Sequence, residues 1–181
     1  MKKFLELLDN LHIDYEIQDG AVVVQDVVII EELDDVEQIS IPENTDFWYG
    51  LICLWSNVEI QLPENLKVAC ALNLENANVT RLPSNLTIDD DCSVYLDAHK
   101  IENVSYSDNC GRHNRTIFAF WANDDFLIAA GCFAGTYSEF ADAVDRKYYY
   151  GDDATAYKRK ARDCISELAE KLGKPDPFKN Q

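Results

Sequence analysis

Three copies of one short phrase recur along the chain: Ile41-Pro42-Glu43-Asn44-Thr45, Leu62-Pro63-Glu64-Asn65-Leu66 and Leu82-Pro83-Ser84-Asn85-Leu86. They lie 21 and then 20 residues apart. A near-constant period of about 20–29 residues built on leucines marks stacked supersecondary units, because one such unit cannot bury its apolar side alone. Between the phrases run the alternations Ile52-x-Leu54, Leu72-x-Leu74 and Val94-x-Leu96, which put both apolar side chains on one side of a strand. Ala77, Val79, Ile88, Ile101 and Val104 supply further inward positions. The prolines fit the corners, where a residue without an N–H interrupts the ladder and the chain turns. Three units lie near the lower limit for a stable stack, so both ends must be covered.

Charge divides the chain. Residues 1–110 carry 22 Asp/Glu against 5 Lys/Arg, a net charge of −17, whereas residues 111–181 carry 11 of each. That asymmetry marks a boundary near Cys110-Gly111. It predicts that the first part repels nucleic acid and anionic bilayers and attracts basic partners. The 181 residues, 47% of them hydrophobic, can bury one good core with a small appended module. No apolar run approaches the roughly 18 residues of a membrane span, and Glu6 and Asp9 interrupt any secretory h-region after Lys2-Lys3. A cytoplasmic location is expected. Four N-x-[ST] sequons, at Asn78, Asn85, Asn103 and Asn114, are then chance matches. Six cysteines (Cys53, Cys70, Cys92, Cys110, Cys132 and Cys164) read as small buried hydrophobes rather than disulfides.

The flanks have their own patterns. Phe4, Leu7, Leu8 and Leu11 recur at helical spacing, predicting a short helix over 2–11. Residues 13–17 alternate, Asp19-Gly20 is a hairpin dipeptide, and 21–24 and 27–30 continue as strands. The acidic stretch 31–37 reads as a solvated turn. Beyond Gly111, residues 116–121 and 126–130 are strand candidates around Asn123-Asp124-Asp125. Thr136-x-x-Glu139 is a capping box, followed by a helix with Phe140, Val144 and Tyr148 on one face. In the last helix Tyr157, Ala161, Cys164, Ile165, Leu168 and Leu172 form one stripe, ended by Gly173 and Pro175. The predicted fold class is α+β: a helix-and-strand cap over 1–38, a short leucine-rich-repeat-like β-solenoid of about three units over 39–110, and a ββαα module over 111–181.

Through residue 104 the pattern resembles the short leucine-rich repeats of bacterial effectors and of phage-encoded repeat proteins, in which LPxxL is followed by a spacer, LxL and a polar turn. The run Ile13-Asp14-Tyr15-Glu16-Ile17-Gln18-Asp19-Gly20-Ala21-Val22-Val23-Val24 is similar to the strand pair that follows a short helix in the phage group. Residues 130–140 resemble a "GCF-GT-EF" module at the C-termini of phage and prophage proteins of unassigned role. The resemblance implies a solenoid and a phage or prophage source, but a scaffold does not dictate an activity. Ala77 and Ala98 stand where the repeat turn usually has asparagine, the 41–45 copy ends in threonine, and the spacer from Ile88 to Val94 is longer. The first and last units therefore read as degenerate. The ubiquitin-ligase domain common in the bacterial effectors has no counterpart of its size here, and that activity is not expected.

Chemical candidates compete with plain structural readings. Cys110-Gly111-Arg112-His113, with Cys92 and His99, has the ligand types for zinc, but the spacing from Cys92 to His99 matches no familiar zinc module. Cys110 or Cys132 could act as a nucleophile with His113 as base; Cys132 lies four residues before the predicted helix cap, and it equally fits simple packing. Asp89-Asp90-Asp91 and Asp34-Asp35 could offer Ca²⁺ oxygens, but they lack EF-hand spacing and read as solvated turns. Lys158-Arg159-Lys160 with Arg162 could touch phosphate, or balance Asp152, Asp153, Asp163 and Glu167 on a polar helix face. A helix cannot bury Tyr148, Tyr149 and Tyr150 together, so at least one is exposed, and exposed tyrosine favours interfaces. Phe47-Trp48-Tyr49 offers a residue to the solenoid surface or closes the first repeat.

No phosphate-cradling glycine loop, triad spacing or paired acid and base appears. The expected function is a non-enzymatic, acidic protein-binding module of phage or prophage origin, using no cofactor and no metal. It engages a host protein with a basic surface, and its expected contact residues are Asp34, Asp35, Glu37, Trp48, Asp89, Asp90, Asp91, Tyr148, Tyr149 and Tyr150. Direct binding of nucleic acid or membrane is not expected. The protein is a monomer or weak homodimer whose sheet edges are covered by residues 1–30 and 111–135. Three alternatives stay open: a counter-defence inhibitor such as an anti-CRISPR protein that mimics nucleic acid with its carboxylates, a thiol- or zinc-dependent enzyme built on 110–140, and a phage structural component.

Overall fold

The computed structural model describes residues 1–31, 36–53, 58–111 and 114–179. Helix α1 (Lys2–Asn10) buries Phe4 and Leu8. Strands β1 (Tyr15–Gln18) and β2 (Ala21–Val24) form an antiparallel hairpin. Its turn residues Asp19 (φ 51°) and Gly20 (φ 85°) are both left-handed, the geometry that matches a two-residue turn to strand twist.

From β2 the chain winds into coils. The first holds β2, β3 (Val28–Ile30) and β4 (Gln38–Ser40); the second holds β5 (Thr45–Phe47), β6 (Leu51–Cys53) and β7 (Glu59–Gln61). The third holds β8 (Lys67–Val68), β9 (Ala71–Leu74) and a bridge from Asn78 to Glu59. The last holds β10 (Thr87–Ile88), β11 (Ser93–Leu96) and a 3₁₀ turn over Ala98–Lys100. Equivalent strands stack in parallel as three faces: β2-β5-β8-β10 with β1 outside β2, then β3-β6-β9-β11, then β4-β7. The chain is thus a mixed α/β protein built on a short β-solenoid. A leucine-rich repeat carries one strand per unit; here the coil bears strands on three faces.

The recurring phrase forms one corner. Asn44 and Asn65 take left-handed φ values of 57° and 58°, a conformation asparagine tolerates better than most residues. Asn65 N–H donates to Asn85 Oδ1 at 2.8 Å, and the Asn85 amide donates back to Asn65 Oδ1. Ser84 N–H and Oγ donate to Glu64 at 3.0 and 2.8 Å. Leu66 and Leu86 behind them are buried.

Inside the coil, Leu72 and Leu74 are buried as their alternation predicts, and so are Val94 and Leu96. The second coil differs. Its inward pair is Leu51 and Cys53, while Ile52 faces outward, and Leu51 pairs with Leu72. A slip of one residue exchanges the two sides of a strand. The sequence offers two overlapping alternations because cysteine packs as a small hydrophobe. Gly50 fixes the choice: at φ 126° its added Cβ would lie 2.8 Å from the Ala71 carbonyl oxygen. Leu54 lies outside the described residues.

The chain then leaves the solenoid as an antiparallel meander of β12 (Ser105–Cys110), β13 (Arg115–Ala122), β14 (Asp125–Ala130) and β15 (Phe133–Thr136), followed by α2 (Tyr137–Tyr148) and α3 (Asp152–Leu172). The two strands expected in this module are β13 and β14; β12 and β15 flank them, so the order is ββββαα. The sheet spans the 110/111 charge boundary. Its alternation serves two cores: Phe118, Phe120, Ala122, Leu127 and Ala129 join the solenoid interior, while Ile117, Ala119, Phe126 and Ile128 pack under α2 and α3.

Two side-chain amides meet the last coil where a further strand would pair. Leu82 N–H donates to Asn103 Oδ1 at 2.9 Å, and Asn103 Nδ2 donates to Leu82 O at 2.8 Å. Ile88 N–H donates to Asn123 Oδ1 at 2.9 Å, and Asn123 Nδ2 donates to Ile88 O at 2.8 Å. Each amide presents the donor and acceptor of a peptide unit. Among the described residues, no helix is long and apolar enough to cross a membrane.

Candidate functional site

The corner between the first and second faces is built by stacked turns at residues 25–27, 48–50, 69–70 and 89–92. Trp48 is 45% exposed and Tyr49 54% exposed there, because Phe47 takes the inward position and the chain turns at Gly50. Asp26 is exposed in the first of these turns, and Asp89, Asp90 and Asp91 in the last. The structure therefore brings Trp48 and the three aspartates onto one corner. Beyond it, Asp90, Asp91, Cys132, Glu139, Asp142 and Arg146 line a cleft of about 450 Å³ against α2. The Thr136 hydroxyl and N–H bind Glu139 and hold its carboxyl below the usual range; this is the predicted capping box, complete in both directions.

The other expected contact residues lie elsewhere. Glu37 is exposed ahead of β4, on another corner, and its carbonyl accepts the Glu59 N–H at 3.0 Å. Asp34 and Asp35 lie outside the described residues. Tyr148 stacks on Tyr157 with ring centroids 5.1 Å apart. Tyr149 and Tyr150, both left-handed, are 88% and 79% exposed between α2 and α3.

The second face carries a row that sequence reasoning missed. Ile29, Ile52, Asn73 and Tyr95 pair in register on its outer side, and Ile29 is 43% exposed. Val28-Ile29-Ile30 and Leu51-Ile52-Cys53 are unbroken apolar triplets where a half-buried strand should alternate, and that was the available signal. At the Tyr95 end, Glu75, Arg115, Thr116, Phe118 and Cys132 surround a groove of about 530 Å³.

The chemical candidates meet ordinary packing. Cys53, Cys92, Cys110 and Cys164 are buried free thiols, whereas Cys70 and Cys132 are exposed, against the reading of all six as buried. Burial pushes the thiols of Cys53, Cys92 and Cys164 up to about 12. His113 lies outside the described residues; among those described, no three His, Cys, Asp or Glu side chains form a metal-holding group. Three of the four cations in the basic run on α3 are engaged within the protein. Lys158 pairs with Asp145 at 2.6 Å, Lys160 donates to the Asp108 and Asn109 carbonyls at 2.9 and 3.2 Å, and Arg162 donates to the Tyr137 hydroxyl at 2.8 Å.

The fold and surface define an acidic, three-faced β-solenoid joined to a sheet layered with two helices. No protein-family model, curated protein or solved structure matches the chain.

Proposed function

We propose that the protein is a non-enzymatic binding module whose acidic solenoid engages the basic surface of a partner protein. The observation that carries this reading is the net charge of −17 confined to residues 1–110, with Trp48 and Tyr49 exposed on the same solenoid. Carboxylates steer a basic partner, and exposed aromatics supply apolar contact. The resemblance of residues 13–24 and 130–140 to phage sequences supports action in the cytoplasm of a phage host. We further propose that α1 with the β1–β2 hairpin, and the four-stranded sheet at the other end, act as caps on a leucine-rich-repeat-like stack. The Asn103 and Asn123 amide pairs support that role.

The test uses the full chain as immobilised bait in bacterial lysate. Proteins retained at 50 mM NaCl and released at 500 mM should be more basic than the lysate as a whole. Competition by added DNA would identify the contacted surface as a nucleic-acid-binding cleft. A retained set of ordinary isoelectric point, or retention indifferent to salt, would refute the proposal.

A further inference from the structure

The three outer faces differ in chemistry. The central outward row of the first face is Glu16, Val23, Asp46, Lys67 and Thr87. That of the third is Gln38, Glu59 and Asn78, with Ser40 donating to Gln61 beside it at 2.9 Å. Among the described residues, only the second face carries an apolar row, Ile29, Ile52 and Tyr95 around Asn73. The neighbouring row, Gly50, Ala71 and Ser93, is small; Trp48 and Tyr49 flank it on the corner, and the Ser93 hydroxyl donates to the Cys132 carbonyl at 3.1 Å where the next sheet meets the last coil.

Carboxylates border this face on both sides. Two residues further along the strands stand the exposed Glu31 and Glu75. On the opposite corner stand Asp26, Asp89, Asp90 and Asp91, with Trp48 and Tyr49 between them. Strands of three or four residues at about 3.3 Å per residue make the face roughly 10–13 Å wide between its acidic borders. An α-helix with its side chains is about 10–12 Å across. Four strands about 4.8 Å apart give the strip a length of about 14 Å between the first and last, which nine or ten helical residues span at about 1.5 Å each.

We infer that the outer face of β3-β6-β9-β11 is the docking surface for a cationic amphipathic helix of a partner protein. The helix lies along the stacking direction, with its apolar stripe on Ile29, Ile52 and Tyr95. Lysines or arginines flanking that stripe reach Glu31 and Glu75 on one side and the aspartate corner on the other. The inference rests on the proposed binding role and assigns it a face and a ligand geometry.

The probe is a synthetic 14-residue Lys/Leu peptide with leucine at i, i+3, i+4 and i+7, titrated into the ¹⁵N-labelled full chain at 50 mM NaCl. A scrambled peptide of the same composition is the control. Saturable amide shifts confined to β3, β6, β9 and β11, at least tenfold tighter binding than the scrambled peptide, and at least tenfold weaker binding to Ile52→Lys and to Glu75→Lys are expected. Asp46→Lys, on the first face, should bind within threefold of wild type. Equal binding of both peptides, or shifts mapping to the first or third face, would overturn the assignment and leave the charge-driven reading standing. Failure of both peptides to bind would refute both.

Discussion

Replacing Asn103 with alanine should be among the most damaging single changes in the solenoid. Asn103 is 8% exposed and Leu82 2% exposed, so water cannot readily take over either amide contact. The substitution removes two hydrogen bonds, of 2.9 and 2.8 Å, and strands the Leu82 N–H and C=O. An unmet buried polar group costs about 1–3 kcal/mol, so the two together predict a loss of roughly 2–6 kcal/mol. Against a typical total of about 5–15 kcal/mol, that is a large fraction. Asn123 makes the same pair of contacts to Ile88 but is exposed, so Asn123→Ala should cost only about 1 kcal/mol. Urea unfolding followed by circular dichroism measures both, provided the m-value is unchanged. A loss below about 0.5 kcal/mol in Asn103→Ala would refute the idea that these amides stand in for a strand, and equal losses in the two variants would refute the weight given to burial.

Asn103→Asp sharpens the test. A carboxylate can accept the Leu82 N–H but cannot donate to the Leu82 carbonyl, whereas a protonated carboxyl does both. The folded state therefore favours the protonated form, and the pKa at this site rises above the unfolded value of about 3.9. Stability of the variant relative to wild type is then greatest below that value and is lost as pH climbs through the folded pKa. A variant whose relative stability falls on acidification would contradict this geometry.

Three further outcomes follow from the same structure. Under native conditions a thiol reagent should modify Cys70 and Cys132 rapidly, and Cys53, Cys92, Cys110 and Cys164 only on unfolding; fast modification of more than two would place a buried strand wrongly. Folded Cys53, Cys92 and Cys164 keep their protons to about 12 against the ordinary 9.0, so the folded state binds more protons across that window, and the urea midpoint should fall as pH rises through it. Gly50→Ala should destabilise by roughly 1–2 kcal/mol from left-handed strain, and more from the 2.8 Å approach to the Ala71 carbonyl; a midpoint unchanged from wild type would show that the corner can relax.

Much of the solenoid was legible because its period and its Pro-x-Asn corners are local signals. Leu72, Leu74, Val94 and Leu96 point inward as their alternation requires, and the Asp19-Gly20 turn and the Thr136 box are short-range chemistry. The misses are tertiary. β12 reads Ser-Tyr-Ser-Asp-Asn-Cys, a polar edge strand that only its pairing with β13 reveals. β15 contains Gly135 and has no fully buried residue. The three-faced coil was hidden because strands of two to four residues leave too short a pattern to separate from turns. The apolar outer row was hidden because its residues belong to different coils and meet only through register.

Register also explains where the acid sits. In a parallel solenoid, equivalent side chains recur about 4.8 Å apart. Two carboxylates at that distance repel by roughly 1 kcal/mol in water and about 3.5 kcal/mol at an effective dielectric of 20. The central rows avoid this. Asp46 pairs with Lys67, and the second face places isoleucine, asparagine and tyrosine in line. Where carboxylates stack at a corner, as at the equivalent positions Glu43 and Glu64, the second is held by Ser84 of the next coil. Asp97 shows the same economy: burial opposes its charge, but Lys100 at 2.6 Å and the Asn76 N–H at 3.0 Å outweigh it and hold the carboxyl below the usual range. The coil therefore keeps the carboxylates of its first and third faces out of line with one another, leaves the second face without any in its central row, and gathers other acid at corners and borders. Those positions frame the second face on both sides, which is why a strongly acidic protein can still present an uncharged strip with a charged rim.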